Sequence, residues 1–300
     1  MESKRIITAN IGDDTLSIIN YGDIIKLTNI DLKTLYNKEG RIGPSDLVLD
    51  DNKDLLIINS LDDSLFKINI ENKNLLDYIK VGRYPLNISI FKDRVYVLNY
   101  DSSSIFIIDK KDFILLESIS IGGKLTDMVI DEMNGKIYIS NWEKKSISEI
   151  NIDSGKLRNI SLSCNPLRII IVREYLFILS SFNSQSINHS RLLKLNLENN
   201  EIVRMIEVKG NFFDFIKIYN KDKFALIDIK SSNIFELDYK IQKIIKQRYI
   251  GGFPNKLVSD NKYIYISDLI NNEIIILDVE DYNIINKIRV GKEPQGIFLL

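Results

Sequence analysis

The chain has 300 residues, of which 45% are hydrophobic and 27% are charged, a composition that supplies enough apolar side chains for a folded core. Its 40 basic and 41 acidic residues give a net charge of −1. This balance excludes a strong overall electrostatic attraction to nucleic acid or to an acidic membrane surface.

The cysteine content and the N-terminal residues bear on the cellular compartment. Cys164 is the only cysteine, so an intrachain disulfide cannot form, which is typical of a reducing compartment. Residues 1–7 lack the long apolar stretch of a signal peptide, and no segment reaches the roughly 20 apolar residues that span a bilayer. We therefore expect a cytoplasmic protein without membrane insertion.

In chain order, the first predicted elements are three short strands at residues 4–10, 15–20 and 24–29. A short phrase then recurs along the chain: an aliphatic residue, a glycine, a few residues often ending in proline, and an apolar strand. Its starts lie at 43, 82, 122, 163, 210, 251 and 291, so the spacings are 39, 40, 41, 47, 41 and 40 residues. Periods of about 40–45 residues are typical of four-stranded propeller blades.

The second repeat displays the strands of one blade. Apolar segments at 87–90, 94–99, 104–109 and 115–119 are separated by turn-forming residues at 92–93, 101–103 and 110–112. Isoleucine and valine dominate these segments because branched side chains suit a packed, pleated surface. No long stretch holds the 3.6-residue apolar period of a helix.

The two ends of the chain complete the pattern. After the last phrase only one strand can follow, at 295–300, whereas three strands precede the first phrase. Pairing the ends would complete a final blade from residues 290–300 and 4–30 and would leave no open sheet edge. The sequence therefore predicts a single all-β domain over 1–300, a seven-bladed β-propeller with four antiparallel strands per blade.

Two segments suggest a family. The runs Tyr96-Val97-Leu98-Asn99 and Ile137-Tyr138-Ile139-Ser140-Asn141, each following the glycine-containing phrase, resemble the YVTN-repeat β-propellers. That family includes surface-layer and periplasmic binding proteins, and other seven-bladed propellers include lactonases, a lyase and quinone- or haem-containing enzymes. The resemblance thus implies the fold but selects no activity.

A ring of polar residues is expected near the start of the innermost strands, where a propeller has its central funnel. It could bind a small polar molecule or an ion, or it could simply line a solvated channel with satisfied polar groups. It mixes cations with carboxylates and contains no histidine or cysteine, which does not fit a metal cage, and we expect no cofactor. Its members are Asp46, Asn87, Asp127, Arg168, Asp214 and Lys256, with Gly296 at the seventh position.

An aromatic arc is expected on the loop face, which carries the connections from strand four to the next strand one and from strand two to strand three. Tyr100, Trp142 and Phe182 follow the end of strand two in three consecutive blades. The arc could be extended by Arg83 and Tyr84, and then by Phe212 and Phe213. Aromatic residues and arginine are frequent anchors of protein interfaces. The same position holds Ile11, Ile229 and Leu269 in other blades, which instead favours packing between blades.

The fourth blade contains an insertion at 182–190, which accounts for the 47-residue spacing. The insertion holds the only histidine, His189, and the same blade begins near Cys164. A thiolate–imidazole pair is conceivable there, but no third orienting residue or local motif supports it.

Three functions remain open from the sequence. The leading hypothesis is a non-enzymatic, monomeric binding or scaffold protein whose loop face and funnel bind a protein or a small polar ligand. The alternative is a lactonase or lyase in which Arg168 and Lys256 hold an anion while Asp127 or Asp214 acts as general base. Single-stranded nucleic acid could stack on the aromatic arc, although the near-zero net charge argues against it.

Overall fold

The computed structural model describes residues 4–184, 187–218 and 221–300, and side chains within those ranges apart from 182–188. The described residues form 28 strands and one helix. The N-terminal part of the chain contains β1 (Lys4–Asn10), β2 (Thr15–Tyr21), β3 (Lys26–Asp31), α1 (Leu32–Tyr36), β4 (Pro44–Leu49), β5 (Asp54–Asn59), β6 (Ser64–Asn69), β7 (Asn74–Lys80), β8 (Pro85–Phe91), β9 (Arg94–Asn99), β10 (Ser104–Asp109) and β11 (Leu115–Ser120).

The remaining strands follow with short connections. They are β12 (Leu125–Asp131), β13 (Lys136–Asn141), β14 (Ser146–Asn151), β15 (Leu157–Ser161), β16 (Asn165–Val172), β17 (Tyr175–Ser184), β18 (Ile187–Asn196), β19 (Ile202–Lys209), β20 (Phe212–Lys217), β21 (Lys223–Asp228), β22 (Asn233–Asp238), β23 (Lys243–Tyr249), β24 (Pro254–Ser259), β25 (Tyr263–Asp268), β26 (Glu273–Asp278), β27 (Ile284–Arg289) and β28 (Pro294–Leu299).

The strands form seven four-stranded antiparallel sheets. Six sheets take four consecutive strands each, from β4–β7 to β24–β27. The seventh has the order β28-β1-β2-β3, with Ile6 opposite Leu299 and Thr8 opposite Ile297. The last strand of the chain is therefore hydrogen-bonded to the first, which confirms the predicted seven-bladed fold and its closure by the two ends.

The chain divides into two compact units, residues 1–120 with 252–300 and residues 121–251. The first unit contains four sheets and the second contains three. Inside each unit, apolar side chains of neighbouring sheets interlock: Ile6 and Ile19 pack with Tyr265 and Ile276 in the first, and Leu192 packs with Phe224 in the second. The cores of both units thus lie between sheets.

Burial explains why the strands differ in sequence. The second strand of a sheet is covered on both faces, so β5 and β25 are buried along their whole length and read as nearly continuous apolar runs. The fourth strand is an edge and is mostly exposed, as in β11, where Glu117 and two serines interrupt the aliphatic residues.

The recurring glycine of the phrase has a steric cause. Asn141, at the end of β13, donates from Nδ2 to the Gly122 carbonyl (2.7 Å) and accepts from the Lys144 N–H (3.1 Å). A Cβ at Gly123 would lie 2.5 Å from Asn141 Oδ1, and Gly123 has a φ of +80°. The polar residue that ends strand two therefore requires glycine in the preceding turn.

The helix α1 was not predicted. Asp31 caps its first turn by accepting from the Thr34 N–H (3.1 Å), and Asn37 ends it in the left-handed conformation with a φ of 52°. Tyr36 packs against Phe66 with ring centroids 4.8 Å apart. Five residues are too few to show a helical period in the sequence.

Within the described ranges, no helix has the length and apolarity needed to cross a bilayer.

The insertion of the fourth blade lengthens two strands rather than forming a surface loop. The strands β17 and β18 have ten residues each, whereas the corresponding strands of other blades have six or seven. Their pairing continues from Tyr175 opposite Asn196 to Ser184 opposite Ile187. The described residues of the predicted insertion at 182–190 thus lie in these two strands.

Candidate functional site

The predicted ring residues share a structural position that the sequence did not disclose. In five of the six, the register between strand one and strand two shifts immediately before the residue, and Lys256 lies within the corresponding shift in β24. Such a β-bulge locally turns the strand and re-aims a side chain. The residues concerned are Asp46, Asn87, Asp127, Arg168, Asp214 and Lys256.

In the first unit the structure brings Asp46 and Lys256 together. Lys256 Nζ lies 2.5 Å from Asp46 Oδ1, and the two side chains are 27% and 9% exposed. Asn87 is half-buried on the neighbouring strand β8. Gly296 holds the same position in β28, where a Cβ would lie 2.8 Å from a Leu47 methyl carbon and 2.9 Å from the Ser45 carbonyl oxygen. Close strand approach therefore explains the glycine.

In the second unit Arg168 lies between two carboxylates. Its Nη1 is 3.9 Å from Asp127 Oδ1, and its Nε is 3.7 Å from Asp214 Oδ1. The guanidinium lies over the Phe213 ring at 5.4 Å and donates to the Thr126 carbonyl (3.3 Å). This arrangement holds the cation in place by charge, hydrogen bonding and a cation–π contact together.

The carboxylates beside Arg168 also stabilise the backbone. Asp127 Oδ2 accepts from the Ile169 N–H on the neighbouring strand β16 (2.9 Å), and Asp214 Oδ1 accepts from the Phe215 N–H (2.9 Å). Both side chains are 11% exposed and Arg168 is 20% exposed. The triad can present polar groups to a ligand, and its charges already compensate each other. Among the described residues, no group of three or more histidine, cysteine, aspartate or glutamate side chains is placed to hold a metal.

Part of the predicted aromatic arc is assembled in the first unit. The Tyr100 N–H donates to the Tyr84 carbonyl (2.9 Å), and the Asp101 N–H donates to the Arg83 carbonyl (3.2 Å). The rings of Tyr84 and Tyr100 meet edge to face with centroids 6.1 Å apart. Both tyrosines are half-buried and Arg83 is exposed, so this group combines packing with an accessible cation.

In the second unit Trp142 is an accessible aromatic residue of the loop face, with 38% of its surface exposed. Its backbone N–H donates to the Lys124 carbonyl (2.8 Å), and its backbone carbonyl accepts from Asn165 Nδ2 (2.8 Å). By contrast Ile11, which follows strand two in the first unit, is only 8% exposed. Packing therefore does not explain Trp142 as it explains Ile11.

Other predicted positions are resolved differently. The structure does not describe the side chain of Phe182, so its place in the arc stays a prediction. Phe212 is 1% exposed and belongs to the core. Cys164 is also 1% exposed, packed in an apolar cluster with Tyr138 and Leu176, an environment typical of a structural thiol.

The sequence reading missed a set of charged residues in the third strands. Each is the third residue from the C-terminal end of its strand, in a run that is otherwise largely apolar. Each is buried or half-buried. A charge inside an apolar strand was the available signal, because burying it requires a partner. These residues are Lys67 in β6, Glu149 in β14, Lys194 in β18 and Glu236 in β22.

No protein-family model matches the chain, and no curated protein matches it. Solved structures do. A protein from Lactobacillus plantarum is 13% identical with a TM-score of 0.79, and 99% of each chain is covered. A proposed 6-phosphogluconolactonase from Bacteroides uniformis is 10% identical with a TM-score of 0.78, and 100% of each chain is covered. Apo AztD from Citrobacter koseri is 11% identical with a TM-score of 0.71, and 99% of this chain and 98% of that chain are covered.

At these identities the likeness establishes the fold and no activity. Membership of the YVTN-repeat family stays a prediction, since no family model supports it. What the sheet topology and the comparisons together establish is that this chain is a seven-bladed β-propeller.

Proposed function

We propose that this chain is a non-enzymatic binding protein that binds a protein partner on the loop face of the second unit, with Trp142 as the central anchor. The observation that carries the proposal is the exposure of this side chain, 38%, on a backbone held by two hydrogen bonds of 2.8 Å. An aromatic side chain has few rotatable bonds, so it loses little conformational entropy on binding, and tryptophan is among the residue types enriched at interface hot spots.

The surroundings of Trp142 fit the rim of an interface. Lys124, Glu143, Lys144 and Lys145 are exposed around it, and Lys144 Nζ donates to the Ile121 carbonyl (2.7 Å). Binding sites of this kind combine an apolar centre with a polar, solvated border. The partner we expect therefore has an apolar pocket for the indole and acidic groups that face the three lysines.

The charged residues of the ring support binding more than catalysis. Asp127 and Asp214, the bases of the enzymatic alternative, both face Arg168 and accept backbone hydrogen bonds. Lys256 is paired with Asp46. A general base needs access to a proton on the substrate, and carboxylates committed to structural contacts are poorly placed for that role.

The proposal is tested by quantitative affinity capture from an extract of the native host with the wild type, Trp142→Ala and Met133→Ala. Met133 is 95% exposed and lies in the hairpin at the opposite end of β12 and β13, so it controls for loss of an exposed apolar side chain. We expect the partner retained by the wild type and by Met133→Ala to bind Trp142→Ala at least about tenfold more weakly.

Circular dichroism melts should show that all three proteins are folded at the temperature of the capture, so that weaker capture by Trp142→Ala reports on binding. The same capture profile for all three proteins would contradict the proposal. So would a partner that is lost equally with Met133→Ala, because that result would assign binding to exposed apolar surface in general.

A further inference from the structure

In three blades, the charged residue of the third strand is paired with residues of opposite charge. In the first unit Lys67 Nζ lies 3.2 Å from Asp50 Oδ2 and 3.8 Å from Asp54 Oδ2. In the second unit Glu149 pairs with Lys136 (3.3 Å) and Arg158 (2.5 Å). The third case is Glu236, which pairs with Lys223 (2.6 Å) and Lys246 (3.6 Å). Each of these charges is thus surrounded by opposite charge, as burial requires.

Lys194, at the same position in β18, has different neighbours. Its cross-strand neighbours are Phe177 on β17 and another cation, Arg204, on β19. Directly opposed residues project to the same face of a sheet, and like charges in such a pair repel each other. At this position of two other blades, Glu149 faces Arg158 and Glu236 faces Lys246. The fourth blade instead places one cation, Lys194, opposite another, Arg204.

Aromatic rings, rather than carboxylates, surround the two cations. Lys194 Nζ lies 3.4 Å from the centroid of the Tyr175 ring and 5.4 Å from that of Tyr239. The Arg204 guanidinium lies 5.0 Å from the same Tyr239 ring and donates to the Tyr239 carbonyl (3.4 Å). Both cations therefore converge on one tyrosine.

Within the described part of the chain, neither Lys194 nor Arg204 forms an ion pair within 4.0 Å. The acidic groups that act electrostatically on Lys194 are Glu174 and Asp222, and Asp222 is itself paired with Lys240 at 2.7 Å. Burial, and then the positive charge of Arg204, lower the pKa of Lys194 below its ordinary value. The pair thus carries a cost that the equivalent positions of the other blades avoid.

An anion would offset this cost. Lys194 is half-buried and Arg204 is exposed, so a ligand can reach both from solvent. An ammonium supplies a point charge and a guanidinium supplies paired donors, a combination that suits a tetrahedral oxyanion. We propose that Lys194 and Arg204 form a binding site for a phosphate-type oxyanion, with the rings of Tyr175 and Tyr239 holding the two cations in position.

The test uses inorganic phosphate as the probe, titrated into the full-length protein by isothermal calorimetry against sodium chloride of equal ionic strength. Lys194→Glu recreates the fourth-strand pairing of the Glu149 and Glu236 blades, because the new carboxylate would face Arg204. Lys156→Glu is the matched control, since it makes the same charge change at an exposed position of the same unit.

We expect saturable phosphate binding by the wild type and by Lys156→Glu, and at least about tenfold weaker binding by Lys194→Glu. Without phosphate, Lys194→Glu should melt at the same temperature as the wild type or higher, which separates loss of the site from loss of folding. Binding that persists equally in all three proteins, or no saturable binding by the wild type, would overturn the proposal.

Two further arms identify the source of the oxyanion. Phenyl phosphate represents a small organic ester, and sedimentation with vesicles containing phosphatidic acid represents a lipid headgroup. Binding of phenyl phosphate without sedimentation supports a small soluble ligand. Sedimentation that Lys194→Glu abolishes supports the same site acting on a lipid headgroup. Sedimentation unaffected by Lys194→Glu would count against the site, because the vesicles would then be bound elsewhere.

Discussion

At the scale of single residues, glycines in five of the seven phrases lie against the polar residue that ends strand two: Gly82, Gly123, Gly210, Gly252 and Gly291. Gly123 both adopts a left-handed φ of +80° and lies against Asn141. Gly155 offers a useful contrast, because its φ is +67° but a Cβ there would meet nothing within 4 Å. Comparing the two glycines therefore separates the effect of backbone strain from the effect of a close contact with a neighbouring side chain.

We expect Gly155→Ala to lower the free energy of unfolding by about 1 kcal/mol, the cost of a left-handed alanine. Gly123→Ala should cost at least about 1 kcal/mol more, because the added methyl group must displace Asn141 from its hydrogen bonds. Equilibrium unfolding in urea measures both. Equal losses in the two variants would mean that the contact between Gly123 and Asn141 contributes nothing.

The identity of the candidate residues was predictable, whereas their surroundings were not. Aligning the repeats is enough to place Asp127, Arg168 and Asp214 at equivalent positions. Their meeting depends on the bulge in each first strand, which leaves no mark in the composition. The exposure of Trp142 was equally undetermined, because Ile11 occupies the same repeat position and is buried.

At the scale of elements, the segment between β3 and β4 is held by a buried acid. Asp14 has a side chain only 1% exposed and accepts from the N–H groups of Ile42 (3.0 Å) and Gly43 (2.7 Å). Lys33 and Arg41 lie 3.0 and 3.2 Å from its Oδ2. Burial favours the neutral acid, but these hydrogen bonds and cations outweigh it and hold the pKa of Asp14 below its ordinary value of 3.8.

Asp14→Asn isolates the charge, because asparagine tolerates the left-handed φ of 60° and keeps the shape of the side chain. We expect it to lower the free energy of unfolding by about 1–3 kcal/mol at neutral pH. A depressed pKa in the folded state contributes stability above 3.8, and that contribution is lost as the pH falls through the lower, folded value.

The difference in stability between wild type and Asp14→Asn should therefore be constant at neutral pH and disappear below pH 3.8. Urea unfolding at a series of pH values measures it. A difference that persists unchanged into strong acid would show that the charge of Asp14 does not act.

Most elements follow from the sequence because each blade repeats one pattern of apolar runs and turns. The exceptions have local causes. The helix α1 depends on its caps, Asp31 and Asn37, and not on an apolar period. The insertion in the fourth blade contains few aliphatic residues, so it lacks the pattern of a strand, yet its described residues continue the pairing of β17 and β18.

At the scale of the whole molecule, the closing sheet was predictable because one strand at the end of the chain and three strands at its start make up the four strands of one blade. The function was not, since structures with the same fold and 10–13% identity carry different descriptions. The features on which both proposals rest are therefore local. They are the exposed Trp142 on the loop face, and the Lys194–Arg204 pair, which has no acidic partner within ion-pair distance in the described residues.

Amide hydrogen exchange with and without the captured protein shows directly whether the loop face around Trp142 binds a partner. We expect slower exchange at 121–124, 142–145 and 162–165 in the complex, and unchanged exchange in the β12–β13 hairpin at 132–135. Protection confined to that hairpin, or spread evenly over the chain, would show that the partner binds elsewhere.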